Sequence, residues 1–348
     1  MHKYSNKKVG ILIPTFNREH FLKYSLESAL HQTTGDICII VLDNGSTDHT
    51  RDYMGTIRDN RVSYIINEQN IGLIGSINKG VDLFPGDVEW CTILCDDDRL
   101  SRDFIEIMRD TIKNRSAKSI IHSHRIFIRP DGGKIREALD SVDEESGLEY
   151  VMNRSKNLRE TYLTGVLFNR YMFKKIGCYP NFTTGVGTDD AFIFALSVKD
   201  RLVYQRNTHV FITIHPGAES QEYRNFRNVF QTIKEVTEYC KNIYSQENLP
   251  RKISNTEMQL LMSKYKKRIY TNICLGQFWR RDLHGNELNE FLDVISRNKK
   301  DLPIRINTDV LLKIKYNVDA EKYFSYRAAW GLIELLQNKF SFRNSYLR

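Results

Sequence analysis

The sequence predicts a layered α/β fold followed by a mostly helical module. Up to about residue 214, short apolar runs alternate with segments in which apolar residues recur at helical spacing. After about residue 222 the periodicity is helical throughout. The same part of the chain is basic: residues 220–348 hold 23 Lys and Arg against 14 Asp and Glu, in a chain of net charge +8. We therefore predict two domains, residues 1–221 and residues 222–348.

The elements follow from the pattern of apolar residues. Apolar runs predict strands over residues 9–14, 37–42, 62–66, 88–95, 119–128, 162–168 and 202–214. Helical spacing predicts helices over residues 21–30, 53–57, 71–84, 104–112 and 191–198, and a further helix that ends at Lys175. Ser46 is expected to cap the second of these helices. Residues 131–157 are polar and acidic, so we predict a long surface loop there.

Composition excludes several classes of protein. Hydrophobic residues make up 41% of the chain, yet no apolar run approaches the 18 or so residues that cross a bilayer. The first residues lack the apolar core of a signal peptide, so we expect a cytoplasmic protein. The six cysteines show no paired metal-ligand spacing and are interpreted as buried thiols. No Gly-x-Gly-x-x-Gly follows the first strand, which argues against a dinucleotide-binding dehydrogenase.

Three consecutive aspartates, Asp96, Asp97 and Asp98, follow the apolar run at residues 88–95. Carboxylates at a strand end repel one another and are costly to bury unless a cation lies among them. Their oxygens suit Mg²⁺ or Mn²⁺, which bind one or two carboxylates together with substrate phosphates. The alternative is a solvated loop that caps the following helix. Taken alone, the triplet does not decide between these two interpretations.

A second acidic segment follows the strand at residues 37–42. Asp43 comes directly after this strand, and Asp48 lies five residues further on. Because ligands bind at the carboxyl ends of strands in open α/β sheets, both acidic strand ends are expected to face one ligand. The carboxylate of Asp43 can accept a hydrogen bond from the N–H of uracil or thymine, whereas Asp48 is assigned to a helix start.

Four motifs in this order resemble the GT-A-fold glycosyltransferases of family two. They are Pro14-Thr15-Phe16-Asn17-Arg18, Leu42-Asp43-Asn44-Gly45-Ser46-Thr47-Asp48, Asn70-Ile71-Gly72 with Asn78-Lys79-Gly80, and the aspartate triplet. The resemblance runs from about Lys8 to Ser220. It implies a nucleotide-sugar donor, a divalent metal and an inverting displacement at the sugar.

The resemblance also implies roles for individual residues. It assigns the nucleoside pocket to Pro14, Thr15, Asn17 and Asp43, with Asp96 facing the ribose and Asp98 binding the metal. On the same basis the donor site includes Asn70, Asp97 and Gly165. A late histidine of this family often approaches the metal or the diphosphate, and His215 is assigned that place.

A second acidic pair, Asp189 and Asp190, follows a glycine-rich segment at the start of the helix predicted over residues 191–198. An acidic pair at a helix start is also what the helix dipole favours. Relatives carry Glu-Asp here, and the second acid is the catalytic base. The resemblance therefore assigns the base to Asp190 and a supporting role to Asp189, which replaces the glutamate.

The predicted function is an inverting glycosyltransferase that moves a sugar, with a UDP-sugar favoured, to a hydroxyl of a glycan, polymer or lipid-linked acceptor. Bacterial cell-surface polysaccharide synthesis is the expected setting. The alternatives are a nucleotide-sugar-binding protein without activity, which would not need Asp190, and a nucleotidyltransferase, although residues 14–18 lack the glycine-rich loop of that class.

The basic module after residue 222 is interpreted first as a helical bundle with solvated charges. No nucleic-acid motif is present, so we expect no nucleic-acid partner. Peripheral contact with the inner face of the cell membrane and formation of a homo-oligomer are left open as roles of this module. An amphipathic pattern over residues 323–336 fits either a membrane interface or a helix docked on a protein core.

Overall fold

The computed structural model of the protein describes residues 8–115, 119–138, 142–215, 225–247, 249 and 252–280, together with residues 290, 291, 293, 294 and 297. The strands are β1 (Lys8–Thr15), β2 (Ile37–Asp43), β3 (Val62–Ile66), β4 (Val88–Ile93), β5 (Arg99–Leu100), β6 (Ile120–Ile128), β7 (Lys134–Glu137), β8 (Glu144–Ser146), β9 (Val166–Asn169) and β10 (Arg201–Thr213). The helices are α1 (Glu19–Leu30), α2 (Thr50–Met54), α3 (Gly72–Leu83), α4 (Phe104–Arg115), α5 (Gly147–Ser155), α6 (Arg170–Lys175), α7 (Thr188–Ser197), α8 (Phe226–Gln246) and α9 (Asn255–Arg280).

Within the described residues the strands form one mixed sheet in the order β3-β2-β1-β4-β9-β6-β10-β5, with β7 paired to β6 and β8 paired to β10. Strands β3, β2, β1 and β4 are parallel neighbours, and β9 runs antiparallel between β4 and β6. Thr15 is the register partner of Asp43, and the amide of Leu94 donates to the carbonyl of Leu12. The carboxyl ends of β1, β2 and β4 therefore lie together at one edge of the sheet.

The central strands β1 and β2 are mostly apolar, which suits a sheet that helices cover. Ile11, Ile13, Ile39 and Val41 are fully buried in the core. Helix α3 approaches β1 so closely that a Cβ added at Gly80 would lie 2.4 Å from a methyl carbon of Leu12. This packing confirms the predicted α/β fold.

The prediction of a long loop over residues 131–157 was wrong. This segment contains β7, β8 and α5, and the helix buries Tyr150 and Val151. The strands are three and four residues long and carry charged side chains, so their sequence shows no apolar alternation. Pairing with the neighbouring strands β6 and β10 stabilises them instead.

Smaller differences occur where one residue changes the backbone path. The predicted strand at 162–168 begins only at Val166, because Gly165 has a left-handed backbone with φ of +94°. Ser46 does not cap α2, which begins at Thr50; the amide of Thr50 donates to the carboxylate of Asp48 instead. The two-residue strand β5 was not predicted.

The backbone groups into two compact units. The first holds the sheet and comprises residues 1–148, 161–181 and 188–216. The second comprises residues 149–160, 182–187 and those from 217 onward. In the second unit Phe230 of α8 stacks on Tyr270 of α9 with ring centroids 4.0 Å apart. The helical character predicted for this part is confirmed, whereas the boundary after residue 221 stays a prediction.

Among the helices of the described residues, none combines the length and the apolar character that crossing a bilayer requires. The amphipathic segment at 323–336 lies outside the described residues.

Candidate active site

The aspartate triplet is held against the end of β1 and the start of α1. The hydroxyl of Thr15 donates to Oδ2 of Asp96 over 2.8 Å. The hydroxyl of Ser25 in α1 donates to the backbone carbonyls of Asp96 and Asp98, over 2.7 and 2.5 Å. The turn after β4 is therefore anchored by side chains of two other elements. Ser25 was not predicted from the sequence, because it belongs to none of the recognised motifs.

Two of the three carboxylates are nearly inaccessible to solvent. Asp96 and Asp98 are each 5% exposed. Burial, with the neighbouring Asp97 second, raises the pKa of Asp96 to about 6, although Arg18 and Thr15 act in the opposite direction. The same two causes hold the pKa of Asp98 well above its usual range. Oδ1 of Asp98 accepts a hydrogen bond from the amide of Thr213 over 2.9 Å.

A divalent cation fits this arrangement. Ligand atoms of Cys95, Asp97 and Asp98 lie within 4.8 Å of one another. Nε2 of His215 lies 3.0 Å from Oδ2 of Asp97, and the His215 ring packs on Phe21 with centroids 4.4 Å apart. A cation placed here would favour the ionised carboxylates that burial disfavours. The residues present thus suit a metal held by carboxylates, with His215 reaching the cluster through Asp97.

Cys95 and Asp97 take places that the sequence interpretation did not give them. Cys95 was interpreted as an ordinary buried thiol, and Asp97 was assigned to the donor pocket. The geometry brings both to Asp98. The sequence carried no signal for this, because the chain turns here: the amide of Asp98 donates to the carbonyl of Cys95 over 3.0 Å, which brings the two ends of the segment together.

Asp43 lies at the end of β2, and each oxygen of its carboxylate accepts a hydrogen bond from the chain. It is 1% exposed, its Oδ1 accepts the amide of Ser46 over 2.8 Å, and its Oδ2 accepts the hydroxyl of Tyr64 over 2.5 Å. Burial and this hydrogen bond raise the pKa of Tyr64, so the hydroxyl is a donor. Each carboxylate oxygen has a second lone pair, and a further donor can still bind.

The loops after β1 and β2 are tied together beside Pro14 and Thr15. Asn17 has a left-handed backbone with φ of +54°. Its side-chain oxygen accepts the amide of Thr47 over 2.7 Å, and its own amide donates to the hydroxyl of Ser46 over 2.9 Å. Asparagine tolerates this backbone better than most residues, which explains its place in the motif.

Asn70 joins the same edge of the sheet through Asn44. Oδ1 of Asn70 accepts the side-chain amide of Asn44 over 2.6 Å and the amide of Gly72 over 2.8 Å. Asn44 also accepts the side-chain amide of Asn67, whose own oxygen accepts the ammonium of Lys79. The structure therefore places Asn70 next to the Asp43 segment and adds two residues, Asn67 and Lys79, that were not assigned.

Gly165 follows Thr164, which contacts Cys95, the residue before the triplet. The amide of Cys95 donates to the hydroxyl of Thr164 over 3.2 Å. A Cβ added at Gly165 would lie 2.8 Å from the hydroxyl of Ser123 and 2.9 Å from a methyl group of Val210. The structure explains this glycine by tight packing and by its positive φ.

The acidic pair at the start of α7 is held by two hydroxyl groups. Asp190 is 3% exposed and accepts a hydrogen bond from the hydroxyl of Thr161. Asp189 accepts a hydrogen bond from the hydroxyl of Tyr179. Burial and the adjacent Asp189 hold the pKa of Tyr179 well above its usual value, so this hydroxyl stays protonated and donates.

Helix α3 fixes Tyr179 in turn. The side-chain amide of Asn78 donates to the carbonyl of Tyr179 over 3.0 Å, and its oxygen accepts the amide of Tyr179 over 2.9 Å. Thr161 and Tyr179 were missed by sequence reasoning. Asn78 was quoted within a motif, without a role. Asn78 of α3 is therefore linked to Asp189 through Tyr179.

Comparisons with known proteins agree with this geometry. The model of "Glycosyl transferase family 2" matches residues 10–177. An uncharacterised glycosyltransferase of Haemophilus influenzae is 31% identical over 246 residues, which cover 68% of this chain and 92% of that protein. Glycosyltransferase GlyG of Streptococcus pneumoniae is 27% identical over 150 residues, 42% of this chain.

Some of these matches are partial. The match spans about half of GlyG, 49% of its length. Among solved structures, residues 1–349 of Staphylococcus aureus TarS in complex with UDP-GlcNAc superpose with a TM-score of 0.62 at 14% identity, covering 92% of both chains. At that identity the likeness concerns the fold.

Proposed function

The chain belongs to glycosyltransferase family 2 and has the GT-A fold. We propose that it transfers a sugar from a nucleotide-sugar donor to an acceptor hydroxyl. The transfer is proposed to invert the anomeric centre and to depend on a metal. The observation that carries the proposal is the largely buried triplet Asp96–Asp98 at the carboxyl edge of the sheet, where a divalent cation fits. Release of nucleoside diphosphate from a panel of nucleotide sugars tests it.

Asp98 and Asp97 are the residues proposed to hold the metal, and His215, which was assigned to the metal or the diphosphate, is proposed to act there through its contact with Asp97. When bound, Mg²⁺ or Mn²⁺ neutralises the charge that builds on the departing diphosphate. Thr15 donates a hydrogen bond to Asp96, and Asp96 is proposed to face the ribose. Pro14, Asn17, Asp43 and Asn70 are proposed to shape the nucleoside pocket, since they lie at the ends of β1 and β2 and in the adjoining loops.

Asp190 is proposed to act as the general base. Its carboxylate takes the proton of the acceptor hydroxyl while the acceptor oxygen bonds to the anomeric carbon and the bond to the diphosphate breaks. Thr161 and the Tyr179–Asp189 pair orient the start of α7. A single displacement needs no nucleophile from the protein, and therefore the anomeric centre inverts.

The donor is proposed to be a uridine nucleotide sugar, because Asp43 can accept the N3–H of uracil. We expect UDP to bind at least 10-fold more tightly than CDP in the presence of Mn²⁺, because N3 of cytosine carries no hydrogen and a hydrogen bond to a charged group contributes about 1.5–3 kcal/mol. Calorimetry with UDP, dTDP, CDP and GDP measures this preference. Thymine offers the same N–H, so dTDP is expected to bind comparably.

The Asp43→Asn variant should reduce the preference for UDP over CDP, because the side-chain nitrogen of asparagine cannot accept a hydrogen bond. Asp59→Asn is the matched control, since Asp59 pairs with Arg61 just before β3, at the opposite edge of the sheet. Tighter binding of GDP than of UDP by the unmodified protein would reject the uridine assignment.

The acceptor is proposed to be a glycan, a polymer or a lipid-linked sugar of bacterial surface polysaccharide synthesis. The division into a catalytic domain (1–221) and a basic domain (222–348) that serves the acceptor, the membrane surface or an oligomer contact is part of this proposal. So is a cytoplasmic location with weak, peripheral contact to the membrane.

Salt-dependent co-sedimentation with anionic vesicles is the expected sign of that contact. Lys264, Lys266 and Lys267 of α9 are exposed or half-buried, and each basic residue near an anionic surface contributes about 1 kcal/mol. Replacing all three by Gln should weaken binding to anionic vesicles about 10-fold or more, whereas the same change at Lys113, Lys134 and Lys174 of the first unit should not. If the protein did not co-sediment with anionic or neutral vesicles at either low or high salt, the membrane role would be contradicted.

A further inference from the structure

Arg18, the residue before α1, extends its side chain onto the aspartate triplet. Its Nη1 lies 3.2 Å from Oδ1 of Asp96 and 3.1 Å from Oδ2 of Asp97. The guanidinium is partly exposed, whereas both carboxylates are largely shielded from solvent. Ion pairs of this kind stabilise the charge of carboxylates that the protein shields from solvent. Arg18 therefore supplies positive charge to the triplet within the chain itself.

The carboxylate of Asp97 is shared by the Arg18 guanidinium and the candidate metal site. Its Oδ2 contacts both Arg18 and Nε2 of His215, over 3.1 and 3.0 Å. The same side chain contributes to the cluster with Cys95 and Asp98 that suits a divalent cation. A guanidinium and a divalent cation on one carboxylate repel each other, and repulsion is strong where water is largely excluded.

We propose that Arg18 is an internal counterion that competes with the divalent metal for the triplet and passes to the diphosphate of the donor when the metal binds. This inference rests on the proposed function, since it assumes that the triplet binds a metal and a diphosphate. A guanidinium pairs with phosphate oxygens as readily as with carboxylates, often through two hydrogen bonds. Metal and diphosphate then bind cooperatively, because the diphosphate gives Arg18 a new partner when the metal takes its place on the carboxylates.

The test compares the unmodified protein with Arg18→Met, which keeps much of the side-chain length and removes the charge. Electron paramagnetic resonance of Mn²⁺ without nucleotide measures metal affinity, and calorimetry at saturating Mn²⁺ measures UDP affinity. In the variant we expect Mn²⁺ to bind about 3- to 10-fold more tightly and UDP about 10-fold or more weakly, in line with a lost charge-assisted hydrogen bond. The two changes have opposite signs, whereas partial unfolding would weaken both affinities.

Arg109→Met is the matched control. Arg109 of α4 pairs over 3.1 Å with Asp36, which precedes β2 at the opposite edge of the sheet, so this variant removes the same charge and should leave both affinities unchanged. Arg18→Lys should restore most of the UDP affinity. Asp98→Ala tests the metal site separately, because this variant should lose Mn²⁺ binding whether or not Arg18 competes with the metal.

Unchanged or weaker Mn²⁺ binding by Arg18→Met, in a protein whose Mn²⁺ binding needs Asp98, would overturn the competition and leave the proposed function standing. Tighter Mn²⁺ binding with unchanged UDP affinity would overturn the passage of Arg18 to the diphosphate.

Discussion

Replacing Asp190 with Asn is expected to cut turnover of the donor by a factor of about 10² or more, because general-base catalysis contributes about 10²–10⁴ in rate. The amide keeps the size of the side chain and can still accept the hydrogen bond from Thr161, but it cannot take a proton. The affinity for UDP should stay within about twofold of the unmodified value, since Asp190 is not assigned to the donor pocket. Initial rates of nucleoside diphosphate release, with calorimetry on the same samples, measure both quantities.

Asp189→Asn is the matched control for this change. It removes the same charge one residue earlier in α7, and Tyr179 can still donate to the remaining oxygen. We expect a milder loss of turnover, because Asp189 is given a supporting role. If Asp189→Asn proved the more damaging of the two, Asp189 would be the base.

Replacing Asp98 with Ala is expected to abolish Mn²⁺ binding and to lower donor turnover by about 10²-fold or more, as the loss of a charge-stabilising group in an active site does. Asp98 is buried, and its Oδ1 is oriented by the amide of Thr213. Electron paramagnetic resonance follows Mn²⁺ binding, and the rate is measured with and without added metal.

Asp87→Ala provides the matched control for Asp98→Ala. Asp87 lies just before β4, at the other end of the strand that leads to the triplet, and forms a half-exposed ion pair with Lys8. Its loss should leave Mn²⁺ binding and turnover unchanged. Full activity of the unmodified protein in excess chelator would contradict the assignment of a metal to the triplet.

The sheet was predictable because its central strands are continuous apolar runs that end at polar residues. Asp43 and the triplet follow β2 and β4, and parallel strands bring such ends together. Residues 131–157 were not predictable in the same way. The strands β7 and β8 depend on their partners in the sheet for stability, and their own sequence carries no alternation.

The contacts that shape the site were beyond the reach of sequence patterns. Thr161 and Asp190 are 29 positions apart, and Asn78 and Tyr179 are 101 apart. Such pairs have no spacing that identifies them, because the topology of the fold creates them. Arg18 is different: it belongs to a motif quoted from the sequence, but the direction of its side chain depends on where β4 ends relative to α1.

Donor turnover by the unmodified protein distinguishes a metal-dependent transferase from a protein that only binds nucleotide sugars. The protein is incubated with uridine, thymidine and guanosine diphosphate sugars, with Mn²⁺ or with excess chelator, and release of the nucleoside diphosphate is followed. We predict release of UDP from at least one UDP-sugar, which needs the metal and falls about 10²-fold or more in Asp190→Asn. Tight binding of UDP without turnover of any donor would contradict a transferase. Turnover that stays unchanged in excess chelator would contradict the metal dependence, and turnover that stays unchanged in Asp190→Asn would contradict Asp190 as the base.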